Sequence, residues 1–97
     1  MPLTEACQPD GWLVTRLRAL FPNALGIYAF GSQIQGTARP DSDLDLAILV
    51  AGYADPLTLW DAAQVLSNQL DLPVDLLDLR AASTVMQHQI LTTGERL

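Results

Sequence analysis

Residues 31–50 read GSQIQGTARPDSDLDLAILV, and this stretch decides how the rest of the chain is interpreted. Gly31 and Ser32 follow one apolar run, while Asp43 and Asp45 lead into another. If the second run is a strand, successive side chains point to opposite faces, so the two acids share a face. Adjacent carboxylates at the start of a buried strand repel each other and lose hydration unless a cation joins them. The stretch therefore predicts a cation site.

Oxygen ligands on a rigid strand suit Mg²⁺, which usually takes one or two carboxylates and completes its octahedron with water and substrate phosphates. The turn at Gly31 and Ser32 suits those phosphates, because glycine lets the backbone approach a ligand and the N–H groups and serine hydroxyl can bond phosphate oxygens. Ser42 either orients the carboxylate that follows it or caps the loop, and the sequence leaves both roles open. We predict a nucleotide site that includes Gly31, Ser32 and Ser42.

The remaining sequence predicts a small α/β sheet backed by helices, because short connections join alternating strand-like and helical segments. Apolar spacing and capping residues predict helices over 10–21, 56–70 and 84–93, begun by Asp10, Asp55 and Ser83. Alternating or continuous apolar runs predict strands over 25–30, 43–50 and 74–79, and one helical turn is expected at 33–36. We expect a single domain over residues 1–97, with residues 1–9 flexible.

The composition and net charge of the chain argue against several classes of protein function. The net charge of −6 and the absence of lysine argue against a nucleic-acid binder, which needs cations to neutralise phosphates. Nucleotide binding stays feasible, since metal ions would supply the positive charge. Cys7 is the only cysteine, which excludes an intrachain disulfide and a cysteine-based zinc site. The N-terminal residues do not resemble a signal peptide and no apolar run is long enough to span a membrane, so we expect a cytoplasmic protein.

The spacing of Gly31-Ser32, ten residues, then Asp43-x-Asp45 resembles the nucleotidyltransferase signature of the DNA polymerase β superfamily. The short length and the sequence pattern GS…GTARPDSDLDLAILV resemble the minimal nucleotidyltransferase (MNT) branch of this superfamily. The resemblance extends from about Leu13 to the end of the chain. The resemblance implies the nucleotidyltransferase fold, a small mixed sheet flanked by helices. It also implies a third carboxylate on the next long strand, the place that Asp75 occupies.

In the resembled family the three carboxylates are catalytic and hold two metal ions. Carried over, this makes Asp43, Asp45 and Asp75 the ligands of two Mg²⁺ ions, one activating the attacking oxygen and one binding the triphosphate. Asp75 is also a candidate base for the incoming hydroxyl. One departure concerns Gln33 and Gln35, which stand where many relatives carry arginines and bring no charge to the triphosphate.

Three other residue types carry weaker signals. Arg39 is the only cation near the motif, and a loop-tip arginine beside proline and aspartate is more typical of a solvated charge. His88 has no cysteine or histidine at metal-ligand spacing. Trp12 and Trp60 are expected to fill the core or a partner surface.

The resemblance implies a specific activity, because MNT proteins commonly pair with a HEPN-domain ribonuclease toxin and transfer AMP from ATP to one of its tyrosines. It therefore predicts ATP and a HEPN toxin as partners, in a hetero-oligomer without nucleic acid or membrane. A chain this short leaves little room for an acceptor pocket, which fits a folded acceptor. Two alternatives stay open: an aminoglycoside-type adenylyltransferase, and a non-catalytic module that occludes its partner. Relatives usually continue past residues 94–97 with another helix, so we expect a longer natural chain.

Overall fold

The structure, a computed structural model, describes residues 11–31 and 43–97. The described residues form three helices, α1 (Trp12–Leu20), α2 (Pro56–Leu70) and α3 (Thr84–Thr93). They also form four strands, β1 (Ala24–Phe30), β2 (Leu44–Val50), β3 (Val74–Asp78) and β4 (Glu95–Arg96). None of the described helices combines the length and the hydropathy that crossing a membrane requires.

The strands form one mixed sheet in the order β3-β2-β1-β4. β2 pairs antiparallel with β1 and parallel with β3, and β4 pairs antiparallel with β1. The predicted fold class, a small mixed sheet flanked by helices, is confirmed. β4 was not predicted, because a two-residue strand is too short to show a periodic pattern.

The alternation along β2 separates two apolar layers. Leu44, Leu46, Ile48 and Val50 are buried on the face that α1 and α2 cover. Ala47 is buried on the opposite face with Phe30, Leu79 and Ile90, the last of which belongs to α3. Asp45 shares this second face, because its side chain alternates with those of its neighbours. The sheet therefore lies between two helical layers, and Asp45 faces the thinner one.

Two predicted N-caps are confirmed, and the third is corrected. Asp55 and Ser83 are the N-caps of α2 and α3, and Gly94 is the C-cap of α3. The first helix was expected to begin at Asp10, which lies outside the described residues. Its N-cap is instead Gly11, which has no side chain to accept a hydrogen bond, and the Thr15 hydroxyl donates to the Gly11 carbonyl at 3.0 Å.

The strand boundaries differ from the predicted ones by a residue at an end. β1 begins at Ala24 and β2 at Leu44, one residue before and one after the predicted starts. β3 ends at Asp78, where the Asp78 carbonyl accepts a hydrogen bond from the backbone N–H of Ala81 in a tight turn. The predicted flexible residues 1–9 and the predicted helical turn at 33–36 lie outside the described residues.

Removing the cap of α2 is expected to destabilise the domain measurably. Asp55 accepts hydrogen bonds from the backbone N–H of Thr58 at 3.3 Å and from its hydroxyl at 2.9 Å. Asp55→Ala leaves that N–H without its partner and should lower the free energy of unfolding by about 1 kcal/mol. For a domain of this size the melting temperature should fall by about 4–8 °C, measured by circular dichroism. Asp55→Ser should keep most of the stability; equal melting temperatures for the alanine variant and wild type would refute the cap.

Candidate active site

Two of the predicted acids lie side by side at one end of the sheet. Asp45 on β2 and Asp75 on β3 are register partners, and Phe30 of β1 is the partner of Asp45 on the other side. Because β2 and β3 are parallel, their N-terminal ends meet, and adjacent strands lie about 4.8 Å apart. Asp43 is exposed and immediately precedes β2. The structure therefore brings Asp45 and Asp75 together, with Asp43 two residues before the first of them.

The surroundings of Asp45 disfavour the charged form of its carboxyl group. Partial burial raises the pKa of the Asp45 carboxyl above its ordinary value, and the negative charges of Asp75 and then Asp43 raise it further. Ionised Asp45 is therefore opposed by lost hydration and by two like charges. A divalent cation between these carboxylates would remove part of that opposition.

Gly31 lies directly against the Asp45 carboxylate. It adopts φ +82°, in the left-handed region, and a β-carbon built on it would overlap the Oδ2 atom of Asp45. Only glycine leaves room for the carboxylate and takes this backbone conformation without strain. The end of β1 therefore contributes to the same site as the acids of β2 and β3. The other two predicted phosphate contacts, Ser32 and Ser42, lie outside the described residues.

The oxygen atoms of the three acids suit a hard divalent cation, but they would leave part of its coordination shell to other ligands. All three acids offer oxygen atoms, the ligands that such cations prefer. Within residues 11–31 and 43–97, no group of three His, Cys, Asp or Glu side chains is close enough to enclose a metal ion. A cation bound here would therefore keep several positions for water and substrate phosphates, as Mg²⁺ usually does. The three-carboxylate, two-ion centre stays a prediction.

The two acids of β3 have different environments. Asp75 is exposed at the edge strand, on the face of Asp45. Asp78 is only 7% exposed and points to the opposite face, where it accepts hydrogen bonds from the backbone N–H groups of Ala54 at 2.8 Å and Arg80 at 3.0 Å. Asp78 thus ties the segment before α2 to the turn after β3 and lies outside the site.

A groove beside the site was not predicted. It runs along β3 with a volume of about 800 Å³, and Asp75 is part of its lining. Trp60 and Tyr53 also line it, with 64% and 72% of their surfaces exposed. One signal existed in the sequence: Trp60 falls off the helical stripe whose members Ala63 and Leu66 are buried. Trp12, by contrast, is half-buried against the core.

The raised pKa of Asp45 predicts a stability effect with a definite sign. Its proton is held more tightly in the folded than in the unfolded chain, so ionisation costs stability as the pH rises above its ordinary value of 3.8. In EDTA at pH 7, Asp45→Asn should therefore melt at a higher temperature than wild type, and the difference should shrink as the pH approaches 4. Added Mg²⁺ should stabilise the wild type more than the variant.

The matched control for this measurement is Asp61→Asn, because Asp61 is an exposed acid on α2 away from the site. Its melting temperature should respond little to Mg²⁺. If the wild type has a higher melting temperature than Asp45→Asn in EDTA at pH 7, then burial and the neighbouring charges do not disfavour ionised Asp45 as we infer.

Comparison with known proteins places these residues in a family. The family model described as polymerase beta, nucleotidyltransferase, matches residues 16–97. The protein adenylyltransferase MntA of Shewanella oneidensis is 45% identical over 85 residues, which cover 88% of this chain and 61% of that protein. The chain thus spans less than two thirds of the length of this curated relative.

Solved structures agree with this match. A crystal structure of a toxin–antitoxin with AMP-PNP superposes with a TM-score of 0.82 at 44% identity, covering 87% of this chain and 68% of that one. A rebuilt structure of tri-AMPylated Shewanella oneidensis HEPN toxin in complex with MNT antitoxin gives a TM-score of 0.74 at 39% identity, covering 87% and 64%. The matched region contains all four strands, Gly31 and the three acids. The chain therefore belongs to the polymerase β nucleotidyltransferase family.

Proposed function

We propose that this chain is the catalytic part of an antitoxin that transfers AMP from ATP to a hydroxyl, specifically a tyrosine, of a HEPN-type toxin. The observation that carries the proposal is the register pair of Asp45 and Asp75 beside Gly31, in a chain of this family. Support comes from the relatives: one is named a protein adenylyltransferase, and another is an MNT antitoxin in complex with a tri-AMPylated HEPN toxin. Because ATP is the donor, we place the reaction in the cytoplasm.

The proposed roles follow from position and chemistry. Asp43, Asp45 and Asp75 would hold two Mg²⁺ ions, while Gly31, Ser32 and Ser42 would contact the phosphates. When bound, the ions supply positive charge against the triphosphate and the departing pyrophosphate. Half-buried Asp45 is the anchor of the site, because a strand neighbour on each side holds its backbone. Exposed Asp75 is the acid that an acceptor can approach from solvent.

The transfer itself exchanges one phosphorus–oxygen bond for another. The acceptor hydroxyl oxygen attacks the α-phosphorus of ATP, and the bond from that phosphorus to the α,β-bridging oxygen breaks. Pyrophosphate leaves with the electron pair, and the hydroxyl proton passes to a carboxylate oxygen of Asp75. Positioning and charge neutralisation do most of the work in such a transfer, so a small rigid site is sufficient.

The proposal is tested with α-labelled ATP, Mg²⁺ and the purified, unmodified HEPN toxin. We expect label on the toxin, lost in the Asp43→Ala and Asp45→Ala variants and kept in Asp61→Asn. Tight binding without label, unchanged by the site variants, would instead support an occluding module. Label on kanamycin but not on the toxin would support an aminoglycoside-type enzyme.

A further inference from the structure

The groove beside the site has the form of a channel along a sheet edge. β3 is the last strand of the order β3-β2-β1-β4, and within the described residues no strand pairs with its outer side. The groove is lined by side chains from both faces of β3, with Trp60 of α2 on one wall and Met86 of α3 on the other. Its floor is thus the outer edge of the strand that carries Asp75.

On the outer edge of β3, alternate backbone groups point away from β2. Leu44 donates to the carbonyl of Pro73, and Leu79 donates to the carbonyl of Ile48, which sets the phase of the parallel ladder. Odd-numbered residues of β3 therefore bond to β2, and even-numbered ones point outward. Within residues 11–31 and 43–97, no hydrogen bond reaches the outward backbone groups of Val74 and Leu76, so the edge can accept a short additional strand.

We propose, building on the function proposed above, that this groove receives the acceptor as an extended peptide segment of the toxin. The segment adds to β3 as an edge strand, bonds the backbone of Val74 and Leu76, and packs its apolar side chains against Trp60 and Tyr53. Main-chain bonds with flanking side-chain pockets are the usual basis of strand addition. The toxin's acceptor is then a strand-forming segment, while the rest of the toxin makes separate contacts.

The geometry of strand addition favours tyrosine as the acceptor. In an antiparallel addition, the segment residue opposite Asp75 forms a non-hydrogen-bonded pair, and its side chain points to the same face as Asp75. Asp45 then lies two strand spacings away, about 10 Å. A tyrosine hydroxyl, carried at the far end of a ring, extends toward the space between the two acids. A serine hydroxyl stays beside its own backbone and falls short.

The charges of the groove and of the whole chain restrict which side chains the bound peptide segment can carry. The described residues that line the groove include two acids, Asp75 and Asp78, and no base. The whole chain carries a net charge of −6. The occupant is therefore an apolar segment flanked by lysine or arginine, since acidic flanks would be repelled.

The first test uses protein variants in the full chain. Trp60→Ala should raise the KM for the toxin in AMP transfer at least tenfold, while the KM for ATP stays within twofold. Leu57→Ala is the matched control, because Leu57 is 72% exposed on the same helix and does not line the groove. Equal toxin KM values for the two variants would overturn the proposal.

The second test uses a peptide of about eleven residues, capped at both ends and centred on the tyrosine that becomes labelled. Each amide is N-methylated in turn, which removes one donor and blocks one edge. Methylation should raise the peptide KM at least tenfold at alternate positions only, the period-two signature of strand pairing. Intermediate positions should stay within twofold of the parent peptide.

Failure of this inference is distinguishable from failure of the proposed function. If intact toxin is not labelled, the proposed AMP transfer is wrong. If intact toxin is labelled but the peptide is neither labelled nor able to compete with the toxin, only the proposed binding of the acceptor in the groove is wrong. A methylation scan without alternation also overturns strand addition. So does a dimer of the chain, seen by sedimentation, that Trp60→Ala dissociates, because a second copy would then occupy the groove.

Discussion

Replacing Asp45 with asparagine is expected to lower the rate of AMP transfer by roughly a thousandfold, because the substitution removes the central negative charge around which cations gather. The side chain keeps its size, so its packing between β1 and β3 is preserved. The measurement is the initial rate with saturating ATP and toxin, over a range of Mg²⁺ concentrations. A variant that retains more than about a tenth of the wild-type rate would be incompatible with the assigned role.

The stability prediction for the same variant makes this result interpretable. Because ionised Asp45 is opposed by burial and by like charges, asparagine should leave the metal-free fold at least as stable as wild type. The loss of rate would then be assigned to chemistry and not to unfolding. Asp61→Asn, an exposed acid on α2, should retain the full rate and exclude a general effect of net charge.

Gly31→Ala is expected to lower AMP transfer by about a hundredfold, because the new methyl group displaces the Asp45 carboxylate from its place. The chain offers a matched control in Gly52. Both glycines have φ +82°, but a β-carbon on Gly52 meets no atom within 4 Å. Both alanine variants should therefore lose about 1–2 kcal/mol of stability to the left-handed backbone.

Only the Gly31 variant should lose activity beyond that common penalty, and Gly52→Ala should stay within about twofold of wild type when the protein is folded. Rates and melting temperatures are measured on both variants under the same conditions. Equal rates for the two variants would show that contact between Gly31 and the carboxylate is unimportant. If both variants are too unstable to assay, their rates are measured at a lower temperature with Mg²⁺ and ATP present.

The groove and the carboxylate cluster share β3, which gives the edge strand two roles in the proposed enzyme. Its inner side bonds to β2 and sets Asp75 against Asp45, while its outer side pairs with no strand in the part of the chain that the structure describes. Asp78 stabilises the end of this strand by accepting hydrogen bonds from the backbone N–H groups of Ala54 and Arg80. Asp78 therefore has a structural role, apart from the acids of the site.

Local chemistry made much of the fold predictable. Helix α2 begins after Asp55 and α3 after Ser83, because capping depends on residues within one turn of each other. The alternation in β2 correctly separated the buried leucines from Asp45, since side-chain direction is a property of the strand alone. The same alternation explains why Asp75 and Asp78 lie on opposite faces of β3.

Tertiary structure alone decided which strands meet and in what register. Nothing local to β3 specifies that Asp75 aligns with Asp45, because register depends on packing between segments distant in the chain. The same holds for β4, which follows the helix end at Gly94 and pairs with β1, and for the groove, which lies along the outer edge of β3 beside α2. Sequence determined which residues carry the chemistry and which way they point; long-range pairing determined that they lie together.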